Sequence, residues 1–189
     1  MLKSLSLAAL LLACAVTAPV RAESVEDKAQ VCMSCHGEKG VPIDKLVPVI
    51  WGQHQGYLYL QLRDYKLGNR TNEQMTAIVG DLEKADLMAL AEYFSQKQWP
   101  NLGQPSASPE DTKRAETAIV SGQCGACHGE TGLGSGTQPR INGQTHDYLL
   151  RTLTEFRTRE RKNNPWMSDI MNALTEQDVA SLAAYMAGR

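Results

Sequence analysis

Two stretches of the chain carry the same pattern of apolar positions. Leu58, Leu62 and Tyr65 fall on one helical stripe, and Leu87, Leu90, Ala91 and Phe94 follow at i, i+3, i+4 and i+7. The pattern returns 91 or 92 residues later, as Leu149, Leu153 and Phe156 and then Val179, Leu182, Ala183 and Met186. Thr175, followed three residues on by Asp178, has the form of a capping box opening the last helix. No segment alternates with the two-residue period of a strand, so the expected fold is all-α and duplicated. Between the copies, "QWPNLGQPSASPED" at residues 98–111 places three prolines and two serines where no period survives, and it reads as a linker. The units are then residues 23–97 and 112–189.

A different pattern stands at the start. Lys3 precedes an uncharged apolar run from Leu5 to Val16, and Val20-Arg21-Ala22 offers a small-x-Ala cleavage site, so residues 1–22 are expected to be a signal peptide. The run falls short of the roughly 20 residues a spanning helix needs, and no later segment approaches that length; no transmembrane segment is expected in the mature chain. An alternative reading makes Cys14 the acylated residue of a lipoprotein signal. Of 19 Lys and Arg against 21 Asp and Glu, two basic residues, Lys3 and Arg21, fall in the leader, which leaves the rest about four charges net negative. That balance argues against nucleic acid as a partner.

Export matters for the four remaining cysteines, because thiols outside the cytoplasm end as disulfides unless something else consumes them. All four lie in one motif spelled twice: "VCMSCHGEKG" at 31–40 and "QCGACHGETG" at 123–132. Cys-x-x-Cys-His is a haem c attachment signal. Residues i and i+3 share a helix face, so Cys32 with Cys35, and Cys124 with Cys127, reach two vinyl groups of one porphyrin, while His36 and His128 face the iron. Three other uses compete: a thioredoxin-like dithiol, which needs βαβ surroundings; zinc sites, which lack a well-placed fourth ligand; and local disulfides, which leave both histidines unexplained. Units of about 80 residues also need a staple beyond their side-chain core, and a large apolar cofactor supplies one.

The repeat selects the sixth iron ligand. Of seven methionines, only Met75 and Met167 face each other when the copies are overlaid, each 39 residues after its histidine. The competing view makes both ordinary packing residues. His54 and His146 do not align with each other and are expected to be surface residues at helix starts. An iron closed by imidazole and thioether has no open position for a substrate, which leaves outer-sphere electron exchange. An axial histidine commonly donates its second ring N–H to a carbonyl, and Pro48 and Pro139, equivalent in the repeat, are the candidates; alternatively they only punctuate loops. Arg70 and Arg161 are candidates to pair with haem propionates or else are solvated helix ends, and the run Arg157, Arg159, Arg161, Lys162 reads as a solvated basic face.

Taken together, the chain resembles the cytochrome c4 family of di-haem class I cytochromes c. The resemblance rests on the paired Cys-x-x-Cys-His-Gly motifs, the Pro-x-x-x-Gly-Gln segments at 48–53 and 139–144, "GNRTN" at 68–72, and the methionines ahead of "LEKADLMALAEYF" and "LTEQDVASLAAYM". It implies two tandem class I cytochrome c domains, each a small helical fold around one covalently bound haem c. It implies a periplasmic electron carrier, not an enzyme, that links a respiratory complex or dehydrogenase to a membrane-bound terminal oxidase or a reductase. The alternative is an electron-accepting haem subunit of a periplasmic dehydrogenase for sulfur compounds or alcohols.

Overall fold

A computed structural model describes residues 23–189. The expected signal peptide over 1–22, with Cys14, lies outside the described residues. Within them the chain forms nine helices and no strand, the only bridge being an isolated one between Ser135 and Gln138. The first lobe holds α1 (Val25–His36), α2 (Gln55–Lys66), α3 (Glu73–Val79) and α4 (Lys84–Ser95). The second holds α5 (Pro109–Ser121), α6 (Gly125–His128), α7 (His146–Arg157), α8 (Pro165–Asn172) and α9 (Glu176–Ala187). Helices α2, α3 and α4 correspond to α7, α8 and α9. Among the described residues no helix is long and apolar enough to cross a membrane.

Local chemistry starts these helices where they start. The Thr175 and Asp178 capping box is present at α9, and the same reciprocal pairing joins Ser24 with Asp27 at α1 and Glu83 with Asp86 at α4. Ser108 caps α5 and Pro109 takes its first position, where a missing N–H costs nothing. The helix therefore begins three residues before the end of the linker expected over 98–111. The remainder of that segment is not loose. Gln104 donates to the carbonyls of Gln144 (2.8 Å) and Ala187 (3.1 Å) and accepts from His146 N, while the Arg140 guanidinium stacks 4.3 Å from the Trp99 ring.

Each lobe closes its own core by crossing its first and last helices, α1 on α4 and α5 on α9. Ala29, Met33, Leu58, Leu90, Ala91 and Phe94 form the first cluster, continued by Tyr65, Val79 and Leu87 around α3. Ala115, Ala118, Leu149, Phe156, Val179, Leu182, Ala183 and Met186 dominate the second. The apolar stripes expected from the sequence are thus core. Small residues at the crossings, Ala29 with Ala91 and Ala115 with Ala183, let the helices approach closely.

The lobes meet through a contact of approximate two-fold symmetry. Gln53 of the first donates to Arg140 O and accepts from Arg140 N, both at 2.9 Å. Gln144 of the second donates to Val49 O at 3.0 Å and accepts from Val49 N at 2.7 Å. Lys45 and Asp147 pair across the rim.

Two outcomes follow for stability. Leu90, 1 % exposed, is expected to cost about 2–5 kcal/mol when truncated to Ala, read as a lowered denaturant midpoint of the first lobe. At Asp178 the hydrogen bond from Thr175 holds the carboxyl below its ordinary value, so the cap's contribution is complete above the unfolded carboxylate range and is lost as pH falls through the folded value. Asp178→Asn, which cannot titrate, should therefore lose less stability than the parent chain between about pH 5 and pH 2 in acid unfolding.

Candidate functional site

The first Cys-x-x-Cys-His segment forms the last turn of α1, one unbroken helix whose final residue is His36. The second is built differently. Helix α5 stops at Ser121, Gln123 takes a left-handed φ of 50°, and Cys127 and His128 fall in the separate four-residue α6, with Cys124 at its cap. Both routes end in a buried imidazole, His36 at 7 % and His128 at 9 % exposure. Each helix then stops at a glycine of positive φ, Gly37 at 88° and Gly129 at 72°.

Each ring is held at one nitrogen. His36 Nδ1–H donates to the Pro48 carbonyl at 2.7 Å and His128 Nδ1–H to the Pro139 carbonyl at 3.0 Å, as expected for those prolines. A carbonyl only accepts, so the proton is on Nδ1 and Nε2 keeps its lone pair. Burial pushes both imidazoles below their ordinary pKa, against the opposing pull of the proline carbonyls, which favours the neutral, metal-binding form. Burial also drives the Cys32 thiol up to about 11 and raises Cys124. None of the four described cysteines is joined in a disulfide, and among the described residues no three His, Cys, Asp or Glu converge on a metal site. The zinc alternative therefore finds no ligand cluster among the described residues, and these contain no strand to scaffold the dithiol alternative.

Met75 and Met167 occupy matching places, the third residue of α3 and of α8. Asn72 Oδ1 accepts from Met75 N at 2.9 Å and Asn164 Oδ1 from Met167 N at 3.2 Å, so an asparagine cap fixes each methionine's register. Asn-x-x-Met in both copies was a readable signal for these caps. His54 and His146 stand at the starts of α2 and α7, turned to Leu133 O and to Asp147.

Cys32, Cys35, His36 and Met75 line the same continuous cavity as Cys124, Cys127, His128 and Met167. Its volume is about 770 Å³, within the range of cofactor sites, and Leu58, Leu90, Phe94, Leu149 and Phe156 wall it. Where the lobes meet it is lined by Arg70 and Arg161, 8 % and 6 % exposed. These are not solvated helix ends. Arg70 donates to Gln61 Oε1 (3.0 Å) and the Tyr148 hydroxyl (3.1 Å), Arg161 to Gln61 Oε1 (2.8 Å) and Asn163 Oδ1 (2.9 Å). The neighbouring carboxylate, Asp64, bonds Arg63 and Asn163 instead. Burial pushes the Tyr148 phenol up, but the two guanidiniums outweigh it and bring it to about 7. Two buried cations with no carboxylate partner among the described residues call for anions, and a porphyrin's carboxylates are of that kind. With two thiols, an imidazole and a thioether in each lobe, the donor set fits haem c. The basic run around Arg161 is also not one face: Arg159 pairs with Asp169, Arg157 with the Leu174 carbonyl, and Arg161 turns inward.

The chain is similar to known proteins over most of its length. A family model described as Cytochrome c matches residues 112–189. Cytochrome c4 from Thiocapsa roseopersicina is 32 % identical over 84 % of this chain and 86 % of that protein. A thiosulfate dehydrogenase electron acceptor from Stutzerimonas stutzeri is 29 % identical over 84 % of this chain and 79 % of that protein. The solved structure of cytochrome c4 from Acidithiobacillus ferrooxidans superposes with a TM-score of 0.76 at 30 % identity, covering 85 % of this chain and 99 % of that one.

The repeat makes Gly37 and Gly129 equivalent, and the structure separates them. A Cβ on Gly129 meets nothing within 4 Å, whereas one on Gly37 lies 1.9 Å from the Val41 carbonyl oxygen. Gly129→Ala is expected to cost only the backbone strain, about 1–3 kcal/mol. Gly37→Ala should cost more and lower the recovery of folded, haem-loaded protein, as checked by denaturant midpoints and haem content.

Proposed function

The chain belongs to the cytochrome c4 family, and from that premise we propose which residues hold its two haems and where it delivers electrons. It is a di-haem c-type electron-transfer protein that exchanges electrons with redox partners and is not an enzyme. The bound haem iron supplies a one-electron couple. In the unit formed by residues 23–97, Cys32 and Cys35 anchor the porphyrin, and His36 Nε2 and Met75 Sδ ligate its iron. In the unit formed by residues 112–189, Cys124 and Cys127 anchor, and His128 and Met167 ligate. The observation that carries this assignment is that all eight side chains line one cavity, with Nδ1 of each histidine already committed to a proline carbonyl.

The residues define what the site does. Imidazole and thioether leave no open position for a substrate and favour the ferrous state relative to paired imidazoles. Arg70 and Arg161, buried where the lobes meet, would hold propionates of the bound haems by charge-assisted hydrogen bonds. The apolar walls of the cavity would exclude water from a bound porphyrin. Residues 1–22 direct export, and the carrier works in the periplasm, passing electrons to a membrane-bound oxidase. A second reading, electron acceptor for a periplasmic dehydrogenase acting on a sulfur compound, is favoured by the likeness to a thiosulfate dehydrogenase electron acceptor.

Visible and near-infrared spectra with haem stoichiometry test the assignment. Two haems per chain are expected, with a weak far-red band in the oxidised form from sulfur bonded to iron. Met75→Ala and Met167→Ala should each remove roughly half of that band and lower the potential of one haem, since each deletes one of two thioether ligands. A band untouched by both substitutions removes the ligand assignment. Co-purification of the native protein with a dehydrogenase, or its recovery as a free carrier, separates the two partner readings.

A further inference from the structure

Gln53 and Gln144 are 3 % and 4 % exposed, occupy equivalent places in the repeat, and have no role in the site so far described. Each carboxamide is engaged at both its oxygen and its nitrogen. Gln144 Oε1 accepts from Val49 N (2.7 Å) and from Thr145 N (2.9 Å), and Gln53 Oε1 accepts from Arg140 N (2.9 Å) and from His54 N (3.0 Å). The residues they grip follow the prolines that hold the histidines. Pro48 C=O and Val49 N–H belong to one planar peptide group, as do Pro139 C=O and Arg140 N–H. On one side of the first peptide stands His36, and on the other stands Gln144 of the opposite lobe. On one side of the second stands His128, and on the other Gln53, again from the opposite lobe. The arrangement is reciprocal.

Such a peptide is not a passive spacer. When its N–H donates to a good acceptor, electron density shifts toward its oxygen, which then accepts more strongly from the imidazole Nδ1–H. A stronger bond at Nδ1 makes the ring a better donor through Nε2 and stabilises oxidised iron. We infer that Gln53 and Gln144 are positioning residues that act crosswise, Gln144 setting the donor strength of His36 and Gln53 that of His128, so that contact between the lobes tunes each haem from the other side. This rests on the assignment of His36 and His128 as iron ligands. The two arms also differ: the Gln144 chain is shorter at both links, 2.7 and 2.7 Å against 2.9 and 3.0 Å, which favours the oxidised state more strongly in the first lobe.

The test uses the full chain with both haems, labelled with 15N-histidine, and compares Gln144→Met with Gln53→Met, which keep side-chain volume and remove the amide. Redox titration and the hyperfine-shifted ring resonances are read for each haem. Gln144→Met is expected to move the His36 ring signals and raise the potential of the first-lobe haem, a change of about two- to fivefold in its redox equilibrium constant, while leaving the His128 haem in place. Gln53→Met should do the mirror image, so either variant alone carries the result if the other fails to fold. Equal shifts of both haems in both variants indicate only a loosened interface and overturn the inference, as does no shift in either. If neither ring is hyperfine-shifted in the oxidised parent protein, the ligand assignment itself fails and the crosswise relay falls with it.

Discussion

An imidazole held at one nitrogen has only the other to offer. With Nδ1 of His36 committed to Pro48 and Nδ1 of His128 to Pro139, one bond sets the tautomer and leaves the Nε2 lone pair as the ring's remaining donor. The surroundings serve that pair of bonds. A helix end carries each histidine, a glycine of positive φ turns the chain immediately after it, and a loop returns the proline carbonyl 12 or 11 residues later. Helices α3 and α8 then place a methionine beside the same cavity, each at a register fixed by an asparagine cap.

Equivalent positions reach this end by unequal means. In the first lobe one helix runs into the histidine, and the glycine after it is packed against the Val41 carbonyl. In the second lobe the helix breaks and restarts, and the corresponding glycine stands in open space. The two lobes therefore present different mechanical surroundings to the same Cys-x-x-Cys-His motif. Two redox centres with the same ligands can differ only through such surroundings: hydrogen bonding, burial and nearby charge.

The lobe interface concentrates all three. Two buried guanidiniums, the Gln61 amide they share and the Tyr148 phenol make a polar centre that neither lobe forms alone. Burying two like charges is costly, and here the cost is offset by hydrogen bonds to Gln61, Tyr148 and Asn163 drawn from both lobes. Around it the paired glutamine contacts and the packed segment from Trp99 to Gln104 hold the lobes in one orientation. The electron-transfer function of the family needs that fixity, since exchange between two centres depends on their separation.

The sequence alone determined the duplication, the all-helical class and the covalent chemistry, because each is written in local spacing: the apolar stripes, Cys-x-x-Cys-His twice, and a methionine repeated 39 residues on. It also pointed to Pro48 and Pro139, since a repeat preserves second-order partners as well as ligands. It did not disclose what depends on bringing distant segments together. For Arg70 and Arg161 the sequence left two readings open, propionate partners or solvated helix ends, and the tertiary structure, which buries both where the lobes meet, removes the second. The basic run from Arg157 to Lys162 looked like one face because linear charge density says nothing about which way each side chain turns. Gln53 and Gln144 were visible as repeated letters, but their partners lie 87 and 95 residues away, and only the tertiary structure could decide that each reaches into the other lobe.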